Sequence, residues 1–416
     1  MAACISRPYV GLACRRGRLA PLASTSRVQQ SHSKARFFQT GSGSPSRIPD
    51  FAFAFDIDGV LLRSSSPLPR AHKTLSYLQK NGIPFILLTN GGGKSETARV
   101  AELSDRLEVP LDTGLFIQSH TPFADLVEGK DQKEGLKDKC VLVVGGDGDQ
   151  CQDVAHKYGF RHVVTPGDIF AAHPSIWPFS QVFGDYYKSF ARPIPAPINP
   201  DDPSKSLKID AVFVFNDSRD WALDTQVIVD LLLSSGGVLG TTSPKNGDPN
   251  LSNRGYQQDG QPPLYFSNPD LWWAAAYHLP RLGQGGFREA LEGVWAAVTG
   301  GPRVGVELQK EVIGKPFQGT YEFAEKRLNS HRERLLRSPA AGPLKRVYMI
   351  GDNPESDIRG GNQYNSPFGS EWYSVLVRSG VFQGGEPSWR PRVIVDDVWD
   401  GVRWGLGQSG WEVPKE

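Results

Sequence analysis

The stretch Phe51-Ala52-Phe53-Ala54-Phe55-Asp56-Ile57-Asp58-Gly59 decides how this chain folds. Five apolar residues without a polar interruption predict a strand covered on both faces, as in the interior of a parallel sheet. Asp56 and Asp58 fall where that strand ends, and Gly59 permits the turn that must follow. In open α/β sheets the crevice beyond the carboxyl ends of the strands is where ligands bind. Two carboxylates therefore stand where chemistry is done.

Downstream, Ala71 to Asn81 carries Leu75 and Leu78 at helical spacing and stops at Gly82. Ile83 to Leu88 predicts a second buried strand. It delivers Thr89, Asn90 and the glycines Gly91 to Gly93 to the start of a helix near Lys94. A hydroxyl and glycine amides at a strand end and a helix N-terminus make an anion site. This is not a P-loop, because GxxxxGK[ST] would need glycine where Leu88 stands. Gln118 to Phe123 (QSHTPF) is expected to open a helix, and the charged run Glu128 to Lys139 marks a domain junction.

A second α/β pattern follows. Val141 to Val144, His162 to Val164 and Ala211 to Phe215 read as strands, with helices from Asp149 to Tyr158 and from Trp221 to Ser235. Gly236 to Gly240 and Leu264 to Asp270 are expected to add strands, and helices after Leu271 flank a loop at Pro280 to Gly286. Alternating strand and helix predicts a parallel sheet of its own. The first domain is expected to resume near Val304. There Gly314-Lys315-Pro316-Phe317 follows a short apolar segment, and a helix runs from about Gln318 to Leu336. Arg346 to Ile350 predicts a strand that delivers Gly351-Asp352-Asn353-Pro354-Glu355-Ser356-Asp357, and Trp372 to Val377 the last core strand. The division is a leader at 1–48, a core at 49–130 and 304–406, an insert at 131–303 and a tail at 407–416.

Bulk properties narrow the function. With 416 residues the chain is long enough for two cores, and 39% hydrophobic with 22% charged residues is ordinary for a globular protein. A net charge of +1 offers no surplus of cations for nucleic acid. No apolar run is long enough to cross a bilayer. Cys140 and Cys151, the two cysteines beyond the leader, make no disulfide framework, so a reduced interior fits better than secretion. The leader contains no Asp or Glu but has Arg7, Arg15, Arg16, Arg18, Arg27, Lys34, Arg36 and Arg47 among many serines. That is the composition of an organelle transit peptide, and Arg36-Phe37-Phe38 before GSGSPS looks like a matrix-protease cleavage region, which predicts the mitochondrial matrix; the alternative is a disordered tail.

Asp56/Asp58, Thr89, Lys315 and Asp352/Asp357 each follow an apolar segment, in that order. Together they fit phosphoryl transfer through a covalent intermediate. A carboxylate attacks phosphorus and splits one hard displacement into two. Lys315, the Thr89 hydroxyl, Asn90 and the Gly91 amides offset the charge on the phosphate. Mg²⁺, held by Asp56 and Asp352, separates the carboxylates from the phosphate. Asp58 protonates the leaving oxygen and then activates water.

The motifs resemble those of the haloacid dehalogenase superfamily. Asp56-Ile57-Asp58-Gly59 matches its first motif, Thr89 its second, Lys315 its third and Gly351-Asp352 to Asp357 its fourth. DIDGVL, LLTNGGG and GDNPESDIRGGN are similar to subfamily IIA. QSHTPF, VFNDSRDW, SNPDLWW and PRLGQGGF are similar to its mitochondrial branch, related to the cat-eye-syndrome critical region protein. The resemblance implies an α/β fold, a Rossmann-like core with a parallel sheet plus an inserted α/β cap. It implies a phosphatase acting on a small phosphorylated metabolite and, from relatives of this branch, a link to glycerophospholipid metabolism. It also implies that Asp56 is the nucleophile, that Asp58 is the acid/base and that the Asp58 backbone carbonyl is a Mg²⁺ ligand. Asn268, Asp270 and Arg281 are the candidate substrate contacts in the cap, and Asn353 and Asp357 are supporting residues. Self-association through the cap is a further expectation. The rival readings are a non-catalytic phospho-ligand or lipid-synthesis-enzyme partner on the same fold, and a phosphotransferase.

Overall fold

The computed structural model describes residues 48–129, 134–199, 201–273, 275–336 and 342–415. The expected transit peptide, all but its last residue, and the junction at 130/131 lie outside them.

Strands β1 (Phe51–Phe55), β2 (Phe85–Leu88) and β3 (Phe116–Ile117) begin one sheet. The chain then lays β4 (Cys140–Val144), β5 (His162–Val164), β6 (Ala211–Val214), β7 (Leu264–Phe266) and β8 (Glu311–Val312) into a second. It returns to the first with β9 (Arg346–Gly351), β10 (Glu371–Val377) and β11 (Val393–Val395). The first sheet has the order β11-β10-β9-β1-β2-β3 and the second β8-β7-β6-β4-β5. Every pairing in both is parallel.

The alternation in FAFAF sorts the two faces of β1. Phe51, Phe53 and Phe55 pack with Tyr348 and Ile350 under Leu75, Leu103 and Val402, from helices Ala71–Lys80, Glu96–Leu107 and Val398–Gln408. Ala52 and Ala54 face the other way, toward Tyr321, Ala324 and Leu328 of the helix Gln318–Leu336. Small residues on that face let the helix sit close to the sheet, while the phenylalanines fill the wider layer. All five side chains are buried, as a doubly covered strand requires.

Four expectations need correction. Glu311–Val312 pairs with β7, so the chain is still in the second sheet where the core was expected to have resumed. Gly236 to Gly240 is no strand. Gly236 and Gly237 take φ of 64° and 81°, which an extended ladder cannot accept, and Val238 makes an isolated bridge to Lys208. Trp272–Trp273 and Arg281–Leu282 form a short antiparallel hairpin instead of a helix, consistent with the strand preference of paired aromatics; the helix starts at Gln284. Val393–Val395 adds an edge strand beyond the one read as last.

Candidate active site

β1 lies where the strand order reverses, with β2 on one side and β9 on the other, the position at which such sheets form a crevice. Asp56 still belongs to the ladder, its N–H donating to the Ile350 carbonyl at 2.9 Å. Asp352 follows the neighbouring strand directly. The third part of the site comes from the second sheet. After β8 the chain passes Gly314 and carries Lys315 into the crevice. Lys315 Nζ donates to Asp56 Oδ1 at 2.8 Å and to Asp357 Oδ1 at 2.7 Å, fully enclosed. Carboxylate oxygens of Asp56, Asp352 and Asp357 lie within 4.8 Å of one another. Asp352 Oδ2 accepts the Val381 N–H at 2.6 Å, and Asp357 Oδ2 the Asn353 N–H at 3.0 Å.

Two glycines make room for Asp352. A Cβ on Gly59, whose φ is 92°, would stand 2.3 Å from Asp352 Oδ2, and one on Gly380 would stand 1.8 Å from it. No side chain larger than hydrogen fits either position without displacing the carboxylate.

Burial opposes the Lys315 charge, but Asp357 and Asp56 outweigh it and hold the ammonium well above its usual range. Burial pushes Asp357 up to about 6 against the pull of Lys315. Asp352 is driven well above the carboxylate range by burial and then by Asp56. The Asp58 carboxyl is raised by loss of solvent, with Arg99 as the main opposing charge. Three carboxylates thus crowd around one ammonium, a deficit of positive charge. An all-oxygen donor set at this spacing fits a divalent cation such as Mg²⁺.

Thr89 Oγ1 accepts the Gly91 N–H at 2.9 Å, which leaves its own hydrogen to donate into the cavity. The Gly91 amide, expected to face a phosphate, is spent on that bond. Asn90, expected beside the phosphate, lines the same cavity, and its side-chain amide is engaged within the protein. Its Oδ1 accepts the Lys315 N–H at 2.8 Å, while Nδ2 donates to the Lys315 carbonyl at 2.9 Å and to Asp270 Oδ2 at 3.0 Å. Asn90 therefore clamps the backbone of Lys315 and ties it to the second sheet. Loss of solvent pushes Asp270 up to about 7, against the pull of Lys315. Asn268 Oδ1 accepts the Asp270 N–H at 2.8 Å and shapes the turn. Arg281 sits on the hairpin, its guanidinium 4.5 Å from the Tyr277 ring centre. Asn353 Oδ1 accepts the Glu355 N–H at 3.0 Å. One cavity of about 590 Å³ is lined by Asp56, Asp58, Thr89 and Asp352 from one side and by Asn268, Asp270 and Arg281 from the other.

His120, Tyr158 and Glu96 escaped the reading from sequence. The Gly93 N–H donates to His120 Nε2 at 3.1 Å, so the neutral ring keeps its hydrogen on Nδ1, 2.8 Å from the Tyr158 hydroxyl. Tyr158 donates to Glu96 Oε1 at 2.5 Å. Burial lowers His120 to about 4 despite Glu96. This relay joins the glycine loop to the helix Gln150–Tyr158 beside the second sheet. QSHTPF signalled it as a motif, but its partners are distant in sequence.

The fold and this carboxylate centre define a capped α/β hydrolase. Residues 53–161 match the family model described as haloacid dehalogenase-like hydrolase, and residues 312–401 a second, HAD-hydrolase-like model. A mitochondrial hydrolase of Saccharomyces cerevisiae is 39% identical over 385 residues, covering 88% of this chain and 97% of that one. A cardiolipin synthase (CMP-forming)/mitochondrial hydrolase fusion protein of Schizosaccharomyces pombe is 40% identical over 383 residues, 91% of this chain; the chain spans 57% of its length. Among solved structures, a hypothetical protein of Pyrococcus horikoshii matches with TM-score 0.52 and 16% identity, covering 85% of this chain and 99% of that one. A p-nitrophenyl phosphatase of Archaeoglobus fulgidus matches with TM-score 0.50 and 15% identity, covering 84% and 97%. At such identities the structures attest the fold alone. The chain belongs to the haloacid dehalogenase-like hydrolases.

Proposed function

We propose that this protein is a Mg²⁺-dependent phosphomonoester hydrolase of the mitochondrial matrix, acting in glycerophospholipid metabolism. The observation that carries the reading is the buried Lys315 bridging Asp357 to Asp56, which lines one cavity together with Asp58 and Thr89. The names of the two yeast relatives and the acid-free basic leader support the compartment, and the fusion with a cardiolipin synthase supports the metabolic setting.

Lys315 and the Thr89 hydroxyl hold the transferring phosphoryl group. An Asp56 carboxylate oxygen forms a bond to phosphorus as the bond to the alcohol oxygen breaks, and Asp58 gives that oxygen its proton. Water then attacks phosphorus, Asp58 takes its proton, and the bond to Asp56 breaks. Phosphate leaves and both carboxyl groups return to their starting states. Asp56, Asp352 and the Asp58 carbonyl would hold Mg²⁺, which when bound offsets the charge of carboxylates and phosphate. Asp357 fixes Lys315 and does not react. Asn90 and Asp270 keep the lysine backbone registered with the cap.

The test is phosphate release from 4-nitrophenyl phosphate with Mg²⁺ and with EDTA. Activity is expected with Mg²⁺ alone and should vanish in Asp56→Asn. Full activity in that variant, or turnover indifferent to EDTA, would sink the proposal.

A further inference from the structure

The hairpin beside the catalytic cavity is built unlike the rest of the site. Leu271, Trp272, Trp273, Tyr277, Leu279 and Leu282 are each 41–53% exposed, although all are large and apolar or aromatic. Trp272 pairs with Leu282 and Trp273 with Arg281 across the two short strands. Trp272, Trp273, Arg281 and Leu282 are also wall residues of the 590 Å³ cavity that Asp56, Asp58 and Asp352 line. The apolar surface is therefore continuous with the catalytic mouth. A contiguous exposed apolar patch of this kind marks an interaction site.

Charge selects the partner. From Leu271 to Gly283 the sequence contains no Asp or Glu, and its charged side chain is Arg281. Elsewhere at the mouth the cations have carboxylate partners: Lys94 and Arg99 share Glu102 with Arg106, and Arg219 pairs with Asp147. Arg281 bonds to the Pro280 carbonyl and stacks over Tyr277, with no carboxylate partner among the described residues. Tryptophan, tyrosine and leucine around a guanidinium are suited to a membrane–water interface. The rings bury their faces among acyl chains, and the cation meets anionic headgroups. A protein partner would be expected to offer Arg281 a carboxylate and to bury the rings. A lipid surface buries the rings among acyl chains, gives Arg281 an anionic headgroup phosphate, and brings phosphomonoesters directly to the cavity.

We propose that the hairpin Leu271–Leu282 seats the mouth of the active site on an anionic lipid surface, so that the substrates are phosphomonoesters carried by lipids. This rests on the hydrolase reading above for the identity of the substrate, but not for the seating itself.

The experiment uses the purified protein, its Tyr277→Ser/Leu279→Ser variant, and vesicles of phosphatidylcholine with or without one-fifth phosphatidylglycerol. Both substituted residues are exposed, and neither lines the cavity. Flotation should carry the unaltered protein with the anionic vesicles and bind it at least tenfold less to neutral ones; the variant should bind the anionic vesicles at least tenfold more weakly. Hydrolysis of dioleoyl phosphatidate embedded in the anionic vesicles should fall at least fivefold in the variant, while 4-nitrophenyl phosphate is turned over equally by both. Failure of the unaltered protein to float, or equal flotation of the variant, overturns the lipid seat. So does a change from dimer to monomer in the variant without vesicle binding, which would give the hairpin to a second copy. Flotation without aryl phosphate turnover would uphold the seat and overturn the hydrolase reading instead.

Discussion

Lys315 and Asp56 are joined by a 2.8 Å ion pair across 259 positions of sequence, and the lysine reaches it from the edge of the other sheet. The nucleophile candidate and its counter-ion thus belong to different layers of the molecule. Any displacement of one sheet against the other changes this contact, so the cap and the chemistry are mechanically linked.

Lys315→Met should abolish turnover, by about a thousandfold or more, since it removes the cation that offsets phosphoryl charge. It also leaves buried carboxylates without their partner, which costs on the order of 3–5 kcal/mol. Thermal melting should show a lowered midpoint that Mg²⁺ partly restores. An unchanged midpoint would argue against the buried ion pair.

Asn90→Ala removes three hydrogen bonds that hold Lys315 and Asp270. Each buried bond of this kind contributes about 1 kcal/mol, and the partners left behind lose more. The expected result is a drop in kcat of roughly tenfold to a hundredfold with a stability loss of about 2–3 kcal/mol, read from steady-state kinetics and urea denaturation. Wild-type kinetics in this variant would show that the clamp plays no part in placing the lysine.

Gly380→Ala places a methyl group where Asp352 Oδ2 now lies. The carboxylate must turn away, so the Mg²⁺ concentration for half-maximal activity should rise at least tenfold. Circular dichroism should remain that of a folded chain, because the clash is confined to the site.

His120 links pH to stability. Its folded value of about 4 lies below the 6.5 of an unfolded histidine, so the unfolded chain binds more protons between those limits. The contribution is fully present above pH 6.5 and is lost as pH falls toward 4, on the order of 3 kcal/mol in all. Asp224, raised by burial to about 7, acts with the opposite sign, since its contribution is lost as pH rises from the ordinary carboxylate range toward 7. Comparing urea midpoints of wild type and His120→Asn at pH 7.5 and pH 5 isolates the histidine. The two proteins should converge at the lower pH, and a constant difference would contradict the assignment.

Much of this protein was legible in its sequence because local physics decides it. FAFAF can only be a doubly covered strand, and the acids after it must fall in the crevice. The same holds for Thr89 after β2 and Asp352 after β9. The roles of Asn90 and Gly91 were not legible, because whether an amide faces a ligand or a neighbour depends on what folds against it. Asn90 meets Lys315 across 225 positions, and His120 meets Tyr158 from another layer. The tryptophan pair after Asp270 read as helix, and the partner strand at Arg281–Leu282 made it a hairpin.

The sequence by itself determined which residue types stand at each strand end, since hydrophobic runs and the glycines after them are local signals. Tertiary structure alone decided that Lys315 comes from the second sheet, that Asn90 clamps its backbone, and that an apolar hairpin stands at the mouth. Those facts depend on strand order and on close approach between distant segments, and no local pattern encodes either.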